Sequence, residues 1–259
     1  MPTFIALPAF QDNYIWLLAD DTTFKVTAVD PGDARPVIRW LGRHPEYQLS
    51  TILLTHHHRD HTGGVLSLKA ATQCRVLGPD NPAIDGIDRT LADGDQINLA
   101  GQSIRVIAVP GHTLDHIAFF CDDPQDPWLL SGDTLFAGGC GRVFEGTPEQ
   151  MHDSLQRLAA LPDDTTIYCT HEYTQANLRF AQAVEPENPD IRIRLEVVED
   201  LRRDGQITLP TTLALEKRTN PFLRSAEPAV VEAASRQAGA EVSPGAETFA
   251  AIRAWKDIF

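Results

Sequence analysis

Cysteine is scarce in this 259-residue chain: Cys74, Cys121, Cys140 and Cys169 stand singly, with no CxxC pair. That spacing excludes a disulfide framework or a thiolate zinc ribbon and leaves reduced, mostly buried thiols. Positive charge is short as well: 22 Lys and Arg face 36 Asp and Glu, a formal net charge of −14. Such a balance argues against a nucleic-acid or anionic-membrane partner, which usually meets a basic stripe. An anionic small substrate would need a local positive site. No apolar run is long enough to span a bilayer, and Met1 to Asp20 carries neither a basic leader nor a small-residue cleavage pattern. No signal peptide is expected, and the cytoplasm is the expected compartment. Low-complexity tracts and fixed-period repeats are missing too, and "AGGCGR" lacks the GxxxxGK[ST] spacing of a phosphate loop.

What is present is an ordinary globular composition, 42 % hydrophobic and 22 % charged, in a chain long enough for a sizeable core. Short β-branched and apolar stretches predict strands at Phe4 to Leu7, Tyr14 to Leu18, Lys25 to Val29, Thr51 to Leu54, Ile104 to Val109, His116 to Cys121, Trp128 to Leu130 and Thr166 to Cys169. Helical patterns fall between some of them, at Ala34 to Gly42, Thr62 to Ala71 and Pro148 to Leu161, the last with Thr147 as N-cap. Interleaved strands and helices mean an α/β or α+β layered fold. After Tyr173 the texture turns helical, at Thr174 to Val184, Ile191 to Arg203, Ala229 to Gln237 and Glu247 to Phe259. Two domains are expected, 1–172 and a helical 173–259.

Chemistry concentrates in "THHHRDHTGG", Thr55 to Gly64, where four histidines and an aspartate crowd between His56 and His61 just beyond a strand. In an extended segment His56, His58 and Asp60 face one way, and His57 and Arg59 the other as spacers. Imidazole nitrogens and carboxylate oxygens suit zinc, iron or manganese, but this segment cannot complete the shells of two ions. Further ligands stand just past other strands: His112 in "VPGHTLDH", Asp133 in "LLSGDTL" and His171 in "YCTHEY". Asp133 has two carboxylate oxygens and could bridge. The assignment is His56, His58, His112 and Asp133 to one ion, and Asp60, His61, Asp133 and His171 to the other. A lone histidine is more often a satisfied polar residue, so His44 and His152 are read as solvent-facing, His116 as supporting or structural, and Asp115 as a turn or supporting partner. Cys140 has no recognisable base and is read as structural or substrate-adjacent.

The motifs "THHHRDH", "GHTLDH", "GDTLF" and "THEYT", in this order, resemble the metallo-β-lactamase superfamily. Within it, "GDTLFAGGCGRVFEGT", "CTHEYTQANLRFA" and the helical tail ending "IRAWKDIF" resemble the glyoxalase II (hydroxyacylglutathione hydrolase) family along essentially the whole chain. The resemblance implies a four-layer αβ/βα sandwich with a C-terminal helical domain. It also implies hydrolysis of S-D-lactoylglutathione and related 2-hydroxyacylglutathione thioesters to the hydroxy acid and glutathione, the second step of methylglyoxal detoxification. Two divalent ions are implied, zinc first with iron or manganese as alternatives, on the seven ligands above. They would supply a bridging hydroxide, with Asp60 and Asp133 in catalytic roles. Glutathione is then expected on Arg142 and Phe144, on Tyr173 beside His171, and on Arg253 with Lys256. Arg142 stands where lysine is common and Phe144 where tyrosine is common, which keeps a charge but removes a hydroxyl. Independently of the family, Arg253 and Lys256 lie roughly 60° apart on a helix and form one cationic patch bordering the apolar arc of Phe249, Ile252, Trp255 and Phe259. A monomer acting on a small molecule is expected. The alternative on the same scaffold is an iron-dependent glutathione persulfide dioxygenase or another hydrolase of the superfamily; the long helical stretch after His171 favours the thioesterase.

Overall fold

The computed structural model describes residues 2–259, which form two compact units: residues 2–108 with Asp115–Gly132, and Val109–Leu114 with Asp133–Phe259.

In the first unit, a six-stranded sheet runs in the order β1 (Thr3–Ala9), β2 (Asn13–Asp20), β3 (Lys25–Val29), β4 (Gln48–Leu53), β5 (Arg75–Pro79), β6 (Arg89–Leu91). The pairs β1–β2 and β2–β3 are antiparallel; β3–β4, β4–β5 and β5–β6 are parallel. Parallel neighbours need crossovers: helix α1 (Ala34–Arg43) lies between β3 and β4, helices α2 (Arg59–Thr62) and α3 (Val65–Thr72) lie between β4 and β5, and residues 80–88 link β5 to β6 without a helix. Asp33 caps α1 by accepting from Arg35 N. The β2 sequence Asn13 to Ala19 is buried without interruption, as expected of a strand covered on both faces. Ile15, Leu17, Ile52, Val37 and Leu68 meet in one core. A second set, β7 (Gln96–Leu99), β8 (Gln102–Ala108), β9 (Ile117–Cys121) and β10 (Trp128–Gly132), is antiparallel throughout. Phe4 of β1 meets Trp128 of β10 edge to face at 5.3 Å.

The second unit holds the two-residue strands β11 (Leu135–Phe136) and β12 (Gly139–Cys140), the antiparallel pair β13 (Thr166–Cys169) and β14 (Thr211–Thr212), and six helices: α4 (Pro148–Ala159), α5 (Thr174–Val184), α6 (Pro189–Arg203), α7 (Leu213–Thr219), α8 (Pro228–Ala238) and α9 (Ala246–Ile258). Thr147 and Gln150 form the capping box that starts α4, with Pro148 at its first position. Phe222 stacks on Phe180 at 5.9 Å and meets Phe249 edge on at 5.6 Å, an aromatic core for the helical region. Among the described residues no helix is long and apolar enough to cross a membrane.

The eight strands and seven helices read from the sequence are all present, with one split. The expected helix from Thr62 to Ala71 is two helices, α2 and α3, because Gly63 and Gly64 intervene at a tight backbone contact described below. The short strands β5, β6, β7, β11, β12 and β14, and helix α7, are additional. His44 is half-buried rather than solvent-facing: it caps the C-terminus of α1, stacks on Trp40 at 4.3 Å, and its Nδ1 lies 2.8 Å from Trp40 O. His152 is likewise half-buried, with Nε2 3.2 Å from Ser225 Oγ and its ring against Phe249.

Candidate active site

Each unit presents its own cluster of histidines and an aspartate. In the first, β4 ends at Leu53 and the chain passes through buried Leu54, Thr55 and His56 into α2. Asp30, buried just past β3, receives Thr55 N and Thr55 Oγ1, both at 2.8 Å, and lies 3.1 Å from His61 Nδ1. One carboxylate thereby ties the entry to the histidine loop to one of its histidines. Thr55 Oγ1 also engages His56 Nδ1 at 3.0 Å. The His56 ring lies 4.7 Å from His58, 4.1 Å from His61 and 4.7 Å from His116, stacked on the last. Asp60 Oδ2 accepts from Asn13 Nδ2 at 3.0 Å and lies 3.4 Å from His61 Nε2.

The strict alternation expected through Asp60 ends at His58. Arg59 opens α2, so Asp60 and His61 project from a helical turn rather than an extended strand. Glycine permits that turn: a Cβ on Gly32 would sit 1.8 Å from Asp60 O, and one on Gly64 would sit 2.4 Å from Pro31 O. Backbone rests directly on backbone there, which any side chain would prevent. His57 points elsewhere, with Nδ1 3.0 Å from Asp115 Oδ1, while Asp115 Oδ2 accepts from Asn81 at 2.9 Å.

In the second unit Asp133 sits between two imidazoles. Its Oδ2 lies 3.5 Å from His112 Nε2 and 3.3 Å from His171 Nε2. His112 Nδ1 lies 2.8 Å from Arg142 O, a bond that fixes the ring's tautomer and orientation. His171 stacks on Tyr173 at 4.7 Å with planes 5° apart, and Phe136 meets both rings edge on. Phe144 lies edge on to His112 at 5.3 Å and is 62 % exposed, an apolar ring presented to solvent beside a histidine.

Three cations of the second unit, Arg142, Arg253 and Lys256, lie near enough to act on one another. Arg142 Nε lies 3.5 Å from Asp257 Oδ1, and Arg253 Nη2 donates to the same oxygen at 3.0 Å. Arg253 is 6 % exposed and turned inward, its Nη1 donating to Cys140 O at 3.1 Å. Lys256 donates to Ala176 O at 3.2 Å; burial, and then the neighbouring Arg253, push its ammonium pKa down to about 8. Burial pushes the Cys140 thiol up to about 11 despite the adjacent guanidinium. Cys140 is therefore a protonated thiol at neutral pH rather than a nucleophile.

Sequence reasoning missed Asp30, Asn13 and Asp257. Asp30 had a signal, a lone carboxylate before Pro-Gly at the end of β3; Asn13 and Asp257 had none, since their roles arise from distant contacts. The donor chemistry of both clusters fits divalent cations: imidazole and carboxylate ligands, five of them buried and His58 and Asp60 partly exposed, with neighbouring carboxylate or carbonyl groups on His61 and His112.

Residues 25–171 match the metallo-beta-lactamase superfamily, and residues 172–259 match the hydroxyacylglutathione hydrolase C-terminus. Hydroxyacylglutathione hydrolases of Pseudomonas savastanoi pv. phaseolicola and Pseudomonas syringae pv. syringae are 59 % and 58 % identical to the chain over 254 residues, covering 98 % of each chain in both pairs. Among solved structures, ETHE1 from Myxococcus xanthus aligns with a TM-score of 0.66 at 26 % identity, covering 99 % of both chains.

Proposed function

The chain belongs to the hydroxyacylglutathione hydrolase family of the metallo-beta-lactamase superfamily, and from that premise we propose that its substrates are S-D-lactoylglutathione and related 2-hydroxyacyl thioesters of glutathione. The products are the 2-hydroxy acid and glutathione, and the cellular role is the second step of methylglyoxal detoxification. The observation that carries this reading is the joining, in one unit, of Asp133 between His112 and His171 with the cations Arg142, Arg253 and Lys256. That combination suits a ligand with a reacting carbonyl and a carboxylate-bearing arm.

Two divalent cations are assigned to the seven ligands: His56, His58, His112 and Asp133 for one, and Asp60, His61, Asp133 and His171 for the other. Zinc, iron and manganese all suit such a donor set. When bound, such ions lower the pKa of water toward neutrality and polarise a carbonyl as Lewis acids. The rest falls to the chain. Asp60, held by Asn13, and Asp133, held between two imidazoles, set ligand directions and offer carboxylate oxygens that orient a water proton. Tyr173, stacked on His171, and the exposed Phe144 ring offer surfaces for the substrate beside the reacting carbonyl. Arg142, Arg253 and Lys256 receive glutathione carboxylates and offset the net charge of −14. The leaving thiolate has a conjugate acid of pKa roughly 8.5, so departure needs no dedicated general acid. Residues 1–172 form the catalytic domain in this reading and 173–259 the substrate-binding domain. The protein acts as a monomer in the cytoplasm, without nucleic-acid or membrane partners.

The test follows the ultraviolet absorbance of the S-D-lactoylglutathione thioester, with metal content measured on the same sample. Turnover that is lost on chelation and restored by zinc, iron or manganese supports the proposal. A fully metallated protein that leaves the thioester intact refutes the substrate assignment, and oxygen uptake with glutathione persulfide becomes the next assay.

A further inference from the structure

The segment from Phe136 to Arg142 has little secondary structure to hold it, since β11 and β12 are two residues each. Its backbone is gripped instead by side chains from helices or from residues directly following them. Asn177 of α5 donates to Ala137 O at 3.1 Å. Glu216 of α7 accepts from Gly138 N at 2.7 Å. Asn220, which caps α7, donates to Gly139 O at 2.9 Å and to Phe136 O at 3.3 Å. Arg253 of α9 donates to Cys140 O. From Phe136 to Cys140, every residue has a backbone group engaged in this way.

Glu216 is the hub. It is completely buried, and its Oε1 accepts from Arg194 Nη2 at 2.5 Å and Thr211 Oγ1 at 2.7 Å, while Oε2 accepts from Asn220 Nδ2 at 3.0 Å as well as from Gly138. Arg194 in turn donates to Thr211 at 3.0 Å and to Thr219. A buried carboxylate is tolerated only when donors surround it; four do here, and one of them is a loop amide. A network whose sole role was to staple α6 to α7 would have no need to extend to Gly138. The gripped segment runs directly into Arg142, whose carbonyl holds His112, and then into Phe144.

We infer that Glu216, braced by Arg194 and assisted by Asn177 and Asn220, is a positioning residue that fixes the 136–142 segment and thereby sets Arg142 and Phe144 for the glutathione arm of the substrate. This rests on the functional reading above. Glu216 touches no reacting atom; it acts through the loop backbone.

Two variants test it in the full-length, metal-loaded protein. Glu216→Gln keeps the shape but turns an NH2 toward converging donors; Asn177→Ala removes one grip and leaves the Glu216–Arg194 pair intact. The first readout is hydrogen exchange of the Gly138 to Arg142 amides, which is independent of turnover. The second is the ratio of kcat/KM for S-D-lactoylglutathione to that for a short lactoyl thioester without the γ-glutamyl and glycyl arms. Both variants should speed exchange in this segment. The ratio should fall by roughly tenfold in Glu216→Gln, about the worth of one charge-assisted hydrogen bond, and by less in Asn177→Ala. Unchanged loop exchange, or equal losses on both thioesters, overturns the inference. Should Glu216→Gln fail to fold, Asn177→Ala decides by the same two readouts. Should the wild-type protein ignore the glutathione thioester, the functional reading fails, while the exchange result still judges the grip on the loop.

Discussion

Lys256 should give substrate binding a distinctive pH dependence. Its ammonium is half-buried on α9, lying 5.2 Å over Phe180 and 5.7 Å over Phe259, and burial together with Arg253 brings its pKa from 10.5 to about 8. Above that pH the protonated fraction falls about tenfold per unit. If Lys256 receives a glutathione carboxylate, KM for the thioester should be flat near neutrality. It should climb above about pH 8 toward that slope, then level off once binding proceeds without the cation. Lys256→Arg stays charged throughout and should remove the climb; Lys256→Met should sit at the high plateau at every pH. The assay is KM and kcat across this range for the three proteins, kept separate so that ionisations affecting turnover do not contaminate binding. Identical KM profiles for wild type and Lys256→Arg would refute the reasoning. The stability effect has the opposite sense from a usual lysine ion pair. The folded pKa lies below the unfolded value, so between about 8 and 10.5 the unfolded chain binds more protons. The cost of burying the charge is present below about pH 8 and is relieved as pH rises through that window.

Other outcomes follow from the same geometry. Asp133→Ala should lose bound metal together with turnover, measured by elemental analysis and the thioester assay; a variant with full metal and full activity would sink the assignment of that carboxylate. Gly32→Ala, whose Cβ would fall 1.8 Å from Asp60 O, should lower stability by about 1–3 kcal/mol and weaken metal retention, read by thermal unfolding with and without chelator. An unaltered melting temperature would show that this backbone contact is slack. Phe144→Tyr supplies the hydroxyl that the family commonly has and should lower KM by about two- to tenfold, the range of a neutral hydrogen bond. No change in KM would mean that the hydroxyl finds no partner here.

Much of the architecture was legible because it rests on local pattern. The alternating and continuous apolar runs marked β1 to β4 and β8 to β10, and Thr147 with Pro148 announced α4. Strands of two or three residues carry too little periodicity to read: β6, β11, β12 and β14 exist because a neighbour pairs with them. The histidine cluster was visible from local spacing alone, but the helical turn that carries Asp60 was not, since it depends on Gly32 lying against that turn from 28 positions upstream in the chain. The cations at Arg253 and Lys256 could be placed on a shared helical face. Their different fates, one turned into the loop and one half-exposed over aromatic rings, come from packing that periodicity does not encode. Glu216 carried no signal at all; an acidic residue in a short helix reads as a solvated face until its donors are found.

The grip on the 136–142 segment also orders assembly in time. Its partners lie 40, 78, 81 and 113 residues further along the chain for Asn177, Glu216, Asn220 and Arg253. Contacts of such separation close long loops, whose entropic cost must be met before the contact returns anything and which slow folding relative to local pairing. During synthesis the strands of the first unit can pair before the residues that shape this segment have left the ribosome. If that segment sets the substrate contacts, its grip is complete only after α9 has docked and Arg253 reaches Cys140 O. Exchanging the C-terminal helices between related chains would reset the loop without altering a residue in it.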